Sequence, residues 1–472
     1  MLRPPISLLP ALLACGAALP APADVILHAF DWKYEEVGRN AQAIADAGYR
    51  SVLVAPPLKS ERSAECPWYK RYQPQDFRVI DNCAGNKQQF VAMIEALKSK
   101  GVRTYADIVV NHMANERNNA TSFPGAEILS EFRERPAYWN DQRLYGDLSK
   151  GLFSPQDFHD EACIRDYSNP NSVVKDRICG AGSDRGLPDL KDTIPGQNWV
   201  LDQRKQYVRE LFDLGVRGFR LDAAKHMPVG AIRYFVPDEI AGNAHVFAET
   251  ITWGGANDRE YTLYLKPYLE NLPVSFGAYD FPLLNEMKRA FSPGSRLSDI
   301  ANPYATGNAL EPRRGVTVVV THDIPYNNGF RSLIFDPKDE ELAYAYILGR
   351  DGGAPMVFDD GSSWKTDGGR WVAAWRNERL KKMISFHNRM QGKWMEVLFA
   401  DECVLLWRRE QDGIAGINKC GFAKDVTVDT RGKFRWNRTY RDSLDAANTV
   451  RITGESFTFS LPGRDARMWN VE

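Results

Sequence analysis

Three carboxylates stand where short apolar segments of the chain end. Asp222 and Glu249 each close such a segment, and Asp323 follows another. Carboxylates that share one cleft cannot all titrate alike, so one stays ionised while another carries a proton. Arg220 precedes Asp222 by two residues, which on a strand places both side chains on one side, and we expect its cation to keep Asp222 ionised. An ionised carboxylate beside a carboxylic acid is the machinery of retaining glycoside hydrolysis.

Metal-dependent hydrolysis is the competing chemistry. It needs two or three His in ligand spacing, and the sequence contains no HExxH segment. A single Asp at a strand end is most often a loop cap or an ion-pair partner. Three carboxylates with an Arg and two His at the same kind of position favour a catalytic site.

The elements that would position these residues alternate between short β-branched runs and amphipathic helical stretches, for example Gln88 to Lys98 and Val200 to Leu214. This alternation predicts a parallel sheet buried on both faces. Eight such units predict an α/β fold of the (β/α)8 TIM-barrel type, whose site lies at the carboxyl ends of the strands. The eight candidate strands are Val25 to Phe30, Ser51 to Ala55, Arg103 to Val110, Gly218 to Asp222, Val246 to Glu249, Ser275 to Asp280, Val316 to Thr321 and Ala354 to Phe358.

Two regions depart from this alternation. About a hundred residues separate the third and fourth strands, which is more than one crossover helix needs, so a small domain is predicted at 113–190. After the barrel, short alternating segments predict a C-terminal antiparallel β-sandwich at 393–472. The barrel would then consist of residues 24–112 and 191–392.

Composition excludes several classes of protein. The 472 residues carry 60 Lys plus Arg against 61 Asp plus Glu, with 43% hydrophobic residues. A chain this close to neutral lacks the basic field of a nucleic-acid-binding protein and the high charge of a disordered one. No heptad pattern suggests assembly, so we expect a monomer.

The first 23 residues resemble an export signal. Arg3 precedes an apolar run that is too short and too interrupted by Pro for a transmembrane segment, and Ala21-Pro22-Ala23 offers a cleavage site. The mature chain would begin near Asp24 and be secreted or periplasmic. In the alternative, Leu12-Leu13-Ala14-Cys15 is a lipoprotein box and Cys15 is lipid-anchored.

Six cysteines remain in the exported chain, which suits an oxidising compartment. Their neighbour separations are 17, 16 and 17 residues, so three local disulfides are the simplest pairing among 15 possible ones. A zinc site is disfavoured because no CxxC segment is present. The cysteines are Cys66, Cys83, Cys163, Cys179, Cys403 and Cys420.

Five ordered segments resemble the conserved regions of the α-amylase family of glycoside hydrolases. They extend from residue 107 to residue 323, and the layout of barrel, insert and C-terminal β domain would cover nearly the whole mature chain. A further segment, Pro67 to Pro74, resembles the second-strand loop of animal-type members. The five segments are Asp107-Ile-Val-Val-Asn111-His112, Leu187-Pro-Asp189-Leu, Gly218-Phe-Arg-Leu-Asp222-Ala-Ala-Lys225-His226, Phe247-Ala-Glu249 and Thr321-His322-Asp323.

The resemblance implies a role for each matching residue. Asp222 would be the nucleophile, Glu249 the general acid and then base, and Asp323 would bind sugar hydroxyls and support the transition state. Substrate would also be bound by a set of aromatic and polar side chains. That set is Trp68, Tyr69, Tyr72, Gln73, His112, Arg220, Lys225, His226 and His322.

The resemblance also implies a structural Ca²⁺ and no organic cofactor. Asn111, Asp189 and the backbone carbonyl of His226 match the family's calcium ligands, and hard oxygen donors are what Ca²⁺ requires. Chloride is not expected. Animal-type members bind it through an Asn where this chain has Thr321 and through a basic residue that the segment Gly353-Ala-Pro355-Met-Val lacks.

The sequence therefore predicts an exported α-amylase that hydrolyses internal α-1,4-glucosidic bonds of starch or glycogen with retention. A transglycosylase of the same family is one alternative, since these motifs do not determine the acceptor. A non-catalytic starch-binding protein on an inactive barrel is the other, and the presence of all three carboxylates disfavours it.

Overall fold

The computed structural model describes residues 24–116, 120–180, 182, 184–193, 196 and 198–472. Eight parallel strands close into a barrel in chain order, with the last strand pairing with the first. The predicted TIM barrel is thus confirmed. Its strands are β1 Ile26–Phe30, β2 Ser51–Val54, β3 Arg103–Ile108, β4 Gly218–Leu221, β5 His245–Ala248, β6 Phe276–Tyr279, β7 Gly315–Val318 and β8 Ala354–Asp360.

The barrel strands are apolar along their length because both of their faces are buried. Every residue of β1, β2, β4 and β6 is buried, so the strands form continuous apolar runs instead of the alternation of a half-exposed sheet. Charged residues inside such strands are therefore unusual. Asp107 in β3 and Arg220 in β4 are two of them, and they are register partners on adjacent strands.

The helices lie between and after the strands. In α3 the buried side chains recur at three- and four-residue steps, and an Asn86–Gln89 capping box begins the helix. The α-helices are α1 Tyr34–Arg39, α2 Ala41–Asp46, α3 Lys87–Ser99, α4 Ala126–Glu134, α5 Pro136–Gln142, α6 Pro170–Lys175, α7 Trp199–Asp213, α8 Val229–Phe235, α9 Asp238–Ala241, α10 Lys266–Asn271, α11 Phe281–Phe291, α12 Asp323–Tyr326, α13 Pro337–Gly349, α14 Thr366–Gly369 and α15 Glu378–Arg389.

Several shorter elements complete the chain. A short π-helix at Tyr261–Leu265 leads into α10. A two-residue antiparallel ladder pairs Asp81–Asn82 with Gly85–Asn86. The 3-10 turns are Trp68–Tyr72, Pro155–Asp157, Ala224–His226, Leu297–Ile300, Asn328–Leu333 and Ala374–Arg376.

The long connection between β3 and β4 contains α4 to α7. A small apolar cluster of its own, around Phe132 and Trp139, forms beneath α4 and α5. The Cys163–Cys179 disulfide closes the loop that contains α6. The domain boundaries given above, including 113–190, stay predictions.

The C-terminal part is antiparallel, as predicted, and consists of a six-stranded and a two-stranded sheet. In β10, Val404 and Leu406 pack into the core between the sheets, whereas Leu405 and Trp407 pack against the barrel helices. This alternation follows from the two-residue period of a strand and fixes the sandwich on the barrel. Its strands are β9 Met395–Ala400, β10 Val404–Arg409, β11 Gly413–Asn418, β12 Lys424–Asp429, β13 Thr439–Asp442, β14 Thr449–Arg451, β15 Ser456–Leu461 and β16 Asp465–Val471.

The predicted nearest-neighbour disulfides are all present: Cys66–Cys83, Cys163–Cys179 and Cys403–Cys420. The predicted export signal and Cys15 lie outside the described residues. Within the described part of the chain, none of the helices is both long and apolar enough to span a membrane.

Candidate active site

Three predicted catalytic carboxylates lie at the carboxyl rim of the barrel. Asp222 is the first residue after β4 and Glu249 the first after β5, so each side chain leaves the barrel where its strand ends. Asp323 begins α12, five residues after β7. The fold therefore brings these three together because their strands end at one rim, as expected for this architecture.

The guanidinium of Arg220 donates hydrogen bonds to several carboxylates of the site. Arg220 is fully buried, and its Nη1 donates to both oxygens of Asp107, at 2.7 Å each, and to Asp222 Oδ1 at 2.9 Å. Its Nη2 donates to Glu249 Oε1. The Arg220 cation thus holds the carboxylates of Asp107, Asp222 and Glu249 in place. The site is nearly closed to water, and charge-assisted hydrogen bonds are strong there.

A strained turn follows the nucleophile position. Ala223 has φ 50° and ψ 31°, a left-handed conformation that costs a residue with a Cβ atom about 1 kcal/mol or more. In this conformation the Ala223 N–H donates to Glu249 Oε2 at 3.1 Å. The turn thereby links the Asp222 segment to Glu249 and starts the 3-10 turn that carries Lys225 and His226.

The electrostatics of the cluster differ among the three catalytic carboxyls. Burial, followed by the negative charge of Glu249, raises the pKa of Asp222 well above its usual range, although Arg220 opposes this. Arg220 contacts Asp222 as predicted and lowers its pKa, but it shares its charge with Asp107 and Glu249, so burial and Glu249 determine the direction of the net shift. Burial also opposes ionisation of Glu249, yet Arg220, His322 and the hydrogen bonds from Asp323 and the Ala223 N–H together outweigh it and lower the pKa of Glu249 to about 2. Burial and the negative charge of Glu249 also raise the pKa of Asp323.

The aromatic rings of Trp68, Tyr69 and Tyr72 and the His322 imidazole pack together beside the carboxylates. Tyr72 donates through its hydroxyl to Asp107 at 3.1 Å and stacks on His322 with ring centroids 5.1 Å apart. Trp68 packs edge-on against both rings, and Tyr69 contacts Trp68 at the outer edge. Burial and Arg220 lower the pKa of His322 to about 3, so its imidazole is neutral at neutral pH.

A cavity of about 230 Å³ opens beside Glu249, on the side of the 3-10 turn. Lys225 lines it and is held by an ion pair with Glu260 and by the ring faces of Tyr167 and Tyr264 at 5.3 and 5.6 Å. The cavity combines apolar rings with a few fixed polar groups, as small-molecule sites do. Its lining residues are Tyr167, Ala223, Lys225, His226, Glu249, Ile251, Trp253, Glu260 and Phe330.

The predicted calcium ligands lie below the cleft, where the long β3–β4 connection meets the barrel. Asn111 Nδ2 donates to Asp189 Oδ2 at 2.9 Å, and His159 Nδ1 lies 2.6 Å from Asp189 Oδ1. The His226 imidazole bonds to the Val173 carbonyl at 3.0 Å, so it lies within the junction that binds α6. Among the described residues, no group of three or more His, Cys, Asp or Glu is arranged to hold a metal ion.

Two further predicted residues differ in their contacts with the fold. His112 is buried, and its Nε2–H donates to the Tyr72 carbonyl at 3.0 Å. Burial lowers the pKa of His112 to about 4. The Gln73 side-chain oxygen is buried and has no hydrogen-bond partner in the described structure. His112 therefore positions the loop that carries Tyr72.

Sequence reasoning missed several residues of the site. Asp107 was part of a quoted motif but not of the predicted set, although a carboxylate inside a buried strand was a usable signal. Trp253 and Glu260 come from the segment after β5 and Tyr167 from the β3–β4 connection, and no local pattern marks them. His28, inside β1, packs edge-on against His322 at 5.6 Å and was not marked by any pattern either.

The comparisons with known proteins identify the family of the chain. A family described as "Alpha amylase, catalytic domain" matches residues 41–290. An α-amylase of Aeromonas hydrophila is 44% identical over 460 residues, which cover 96% of this chain and 97% of that protein. The chain belongs to the α-amylase family. A more distant α-amylase-family relative, the α-amylase of Tribolium castaneum, is 26% identical and covers 84% of this chain and 83% of its own length.

Solved structures confirm the fold. The crystal structure of α-amylase I from Eisenia fetida has a TM-score of 0.75 at 23% identity, covering 97% of this chain and 99% of that one. The predicted family, and with it the class of retaining glycoside hydrolase of α-amylase type, is confirmed. The roles of individual residues stay predictions.

Proposed function

We propose that the chain is an endo-acting α-amylase that hydrolyses internal α-1,4-glucosidic bonds of starch and related glucans with retention of configuration. The observation that carries this proposal is the sharing of one buried guanidinium by Asp222 and Glu249 at the barrel rim. Such sharing holds two carboxyl groups close together, which is what a double-displacement mechanism at one sugar carbon needs.

In the first step, Asp222 attacks the anomeric carbon as the bond to the leaving glucan breaks, and Glu249 gives its proton to the leaving oxygen. In the second step, Glu249 takes a proton from water, and the water oxygen displaces Asp222. Asp323 would hold hydroxyls of the sugar while positive charge develops on the ring. Neutral His322 has one N–H to donate and so can join it.

The first step requires a proton on Glu249, whereas Arg220 and its other partners lower the pKa of Glu249 in this arrangement. We infer that the bound glucan separates Glu249 from Arg220 and excludes water, both of which raise the pKa of Glu249. The proton then has a short path, because the Asp323 carboxyl is hydrogen-bonded to Glu249. Asp222, which stays on Arg220, becomes the ionised nucleophile.

The cavity beside Glu249 would receive the leaving side of the glucan. Lys225 presents an ammonium there in a fixed position, and Trp253 and Phe330 present rings 5.4 Å apart. A ring pair suits the apolar face of a sugar, and an ammonium suits its hydroxyls.

The decisive test is digestion of maltoheptaose and of amylose, with products separated by length and reducing ends counted. Endo-hydrolysis predicts an early fall in amylose length and one new reducing end for each bond cut. Products longer than maltoheptaose would instead assign a transglycosylase. No cleavage of either substrate would contradict the proposal.

We also propose a structural Ca²⁺ at Asn111, Asp189 and the His226 carbonyl. The two side chains are buried and in contact, and burial raises the pKa of Asp189 to about 6, so a nearby cation would stabilise it in its ionised form. Ca²⁺ would have to replace the contacts from Asn111 Nδ2 and His159. Calcium content and melting temperature after chelation test this, with Asp189→Ala as the variant that should lose both responses. A chelated protein with unchanged melting temperature and no calcium to lose would contradict it.

We propose that the protein is exported, on the basis of the sequence of residues 1–23, and the three disulfides support this because oxidising compartments maintain them. The mass of the mature protein tests it. Cleavage before Asp24 supports a secreted or periplasmic enzyme, and a lipid on Cys15 supports the anchored form. We further propose that the enzyme is a monomer, which light scattering would test.

A further inference from the structure

An indole lies open to solvent on the C-terminal domain, away from the cleft. Trp394, in the turn between α15 and β9, is 50% exposed. The guanidinium of Arg408 lies over one face of its ring, 4.6 Å from the centroid. Arg408 is itself buried and held by Glu396 and by the carbonyls of Glu410 and Lys433. The indole is therefore a fixed platform and not a mobile surface side chain.

Beside this platform is a polar pocket of about 310 Å³. The tight turn between β10 and β11, in which Glu410 has φ 46°, forms one wall, and Arg435 forms another. The Gln411 amide is anchored to the Gly432 carbonyl at 3.1 Å. The pocket thus holds donors and acceptors in fixed positions next to an exposed ring.

The charges of the pocket are paired with each other. Arg435 Nε donates to Asp412 Oδ1 at 2.6 Å, and Lys393 forms ion pairs with both Asp412 and Glu410. The pocket therefore offers no uncompensated charge to an ionic ligand. A neutral ligand with many hydroxyls can bond to the outward atoms of these pairs without breaking them, while an apolar face covers the indole.

The pocket lies at the opposite end of the barrel from the carboxylates. The Met395 N–H, next to Trp394, donates to Asp351 Oδ2 at 2.7 Å, and Asp351 precedes β8. Gln391 Nε2 reaches Asp24, which precedes β1, at 3.4 Å. These contacts are at the amino ends of the barrel strands, whereas the catalytic cleft is at their carboxyl ends.

We propose that the Trp394 pocket is a second, non-catalytic glucan-binding site that holds the enzyme on a polymeric substrate. The ligand class rests on the proposed function, because a neutral α-glucan is the polyhydroxylated polymer the cleft would cut. A long or branched glucan reaches both ends of the barrel, whereas a short oligosaccharide occupies one end at a time. The pocket therefore increases affinity for polymers and leaves cleavage of short chains unchanged.

The test compares Trp394→Ala with Phe422→Ala, which removes a 61% exposed aromatic of the same domain outside the pocket. Affinity electrophoresis in gels containing amylopectin, run on both variants in a Glu249→Gln background, measures polymer binding without digestion. With Glu249 intact, kcat and KM are measured on amylopectin and on maltoheptaose. Trp394→Tyr tests whether an aromatic ring restores binding.

We expect Trp394→Ala to weaken amylopectin binding roughly five- to tenfold, the effect of losing one well-placed aromatic contact. The KM for amylopectin should rise with kcat unchanged, and both constants on maltoheptaose should stay within about twofold. Trp394→Tyr should regain most of the binding. Equal polymer binding by Trp394→Ala and the parent, or an equal loss in Phe422→Ala, would overturn the inference. Failure of the unmutated enzyme to cleave both maltoheptaose and amylose would overturn the proposed function instead.

Discussion

Replacing Glu249 by Gln separates its acid role from its structural role. The amide keeps an oxygen for Arg220 Nη2, but its NH₂ group then faces the Ala223 N–H, so the hydrogen bond to Oε2 is lost. Such a loss costs about 1–3 kcal/mol, because the bond is made to a charged group. Removing one negative charge near Asp222 and Asp323 offsets part of this cost. We expect the melting temperature to change by only a few degrees.

Turnover should respond far more strongly. General acid catalysis contributes roughly 10²–10⁴-fold, and Glu249 serves both steps, so kcat on maltoheptaose should fall about a thousandfold or more. Nitrophenolate is a leaving group that needs no protonation. On a nitrophenyl maltooligoside, the first step of Glu249→Gln should therefore recover most of its rate and release a burst of nitrophenol. The second step should stay slow until a strong nucleophile such as azide is added.

Glu260→Gln is the matched control, since Glu260 lines the same cavity and contacts Lys225 instead of the reacting carboxylates. Its kcat should stay within about tenfold of the parent, with the larger change in KM. For Glu249→Gln, a loss in the burst rate on the nitrophenyl substrate as large as the loss of turnover on maltoheptaose would refute the acid assignment. Activity of Glu249→Gln on maltoheptaose within tenfold of the parent would also refute the acid assignment.

Three further predictions follow from the site and its surroundings. Asp222→Asn should lower kcat on maltoheptaose by on the order of a thousandfold or more with an unchanged circular dichroism spectrum; activity within tenfold of the parent would contradict the nucleophile role. Chloride added at constant ionic strength should leave the rate unchanged, because Thr321 and the segment 353–357 lack the family's chloride ligands; a severalfold stimulation would count against this. Burial, opposed by hydrogen bonds from Trp375 N–H and Trp32, raises the pKa of Asp359 to about 7. The folded state therefore binds this proton more tightly than the unfolded state, and stability is lost as pH rises from about 4 to 7. Asp359→Asn should flatten the melting-temperature profile over that range, and an unchanged slope would contradict it.

The barrel and its catalytic rim were predictable because their signals are local. Each buried strand is a continuous apolar run, and Asp222 and Glu249 are charged residues that directly follow two of these runs. The disulfides were predictable for the same reason, since each pair lies within 17 residues.

The rest of the site depends on contacts between distant segments. Glu260 meets Lys225 only because the loops after β4 and β5 converge, and the sequence separation of 35 residues carries no periodic signal. The full set of carboxylates that contact Arg220 was not predictable for a related reason. The spacing of Arg220 and Asp222 predicted their contact, but it did not show that Asp107 and Glu249 share the same cation.

The central claim is a double displacement by Asp222 and Glu249, and the anomeric configuration of the first product tests it most directly. Proton NMR of the enzyme with maltoheptaose, recorded before mutarotation equilibrates the products, follows the new reducing ends. The mechanism predicts α-anomers first, with β-anomers appearing only at the rate of mutarotation. New β-anomers at the earliest times would show inversion and would contradict the covalent role of Asp222.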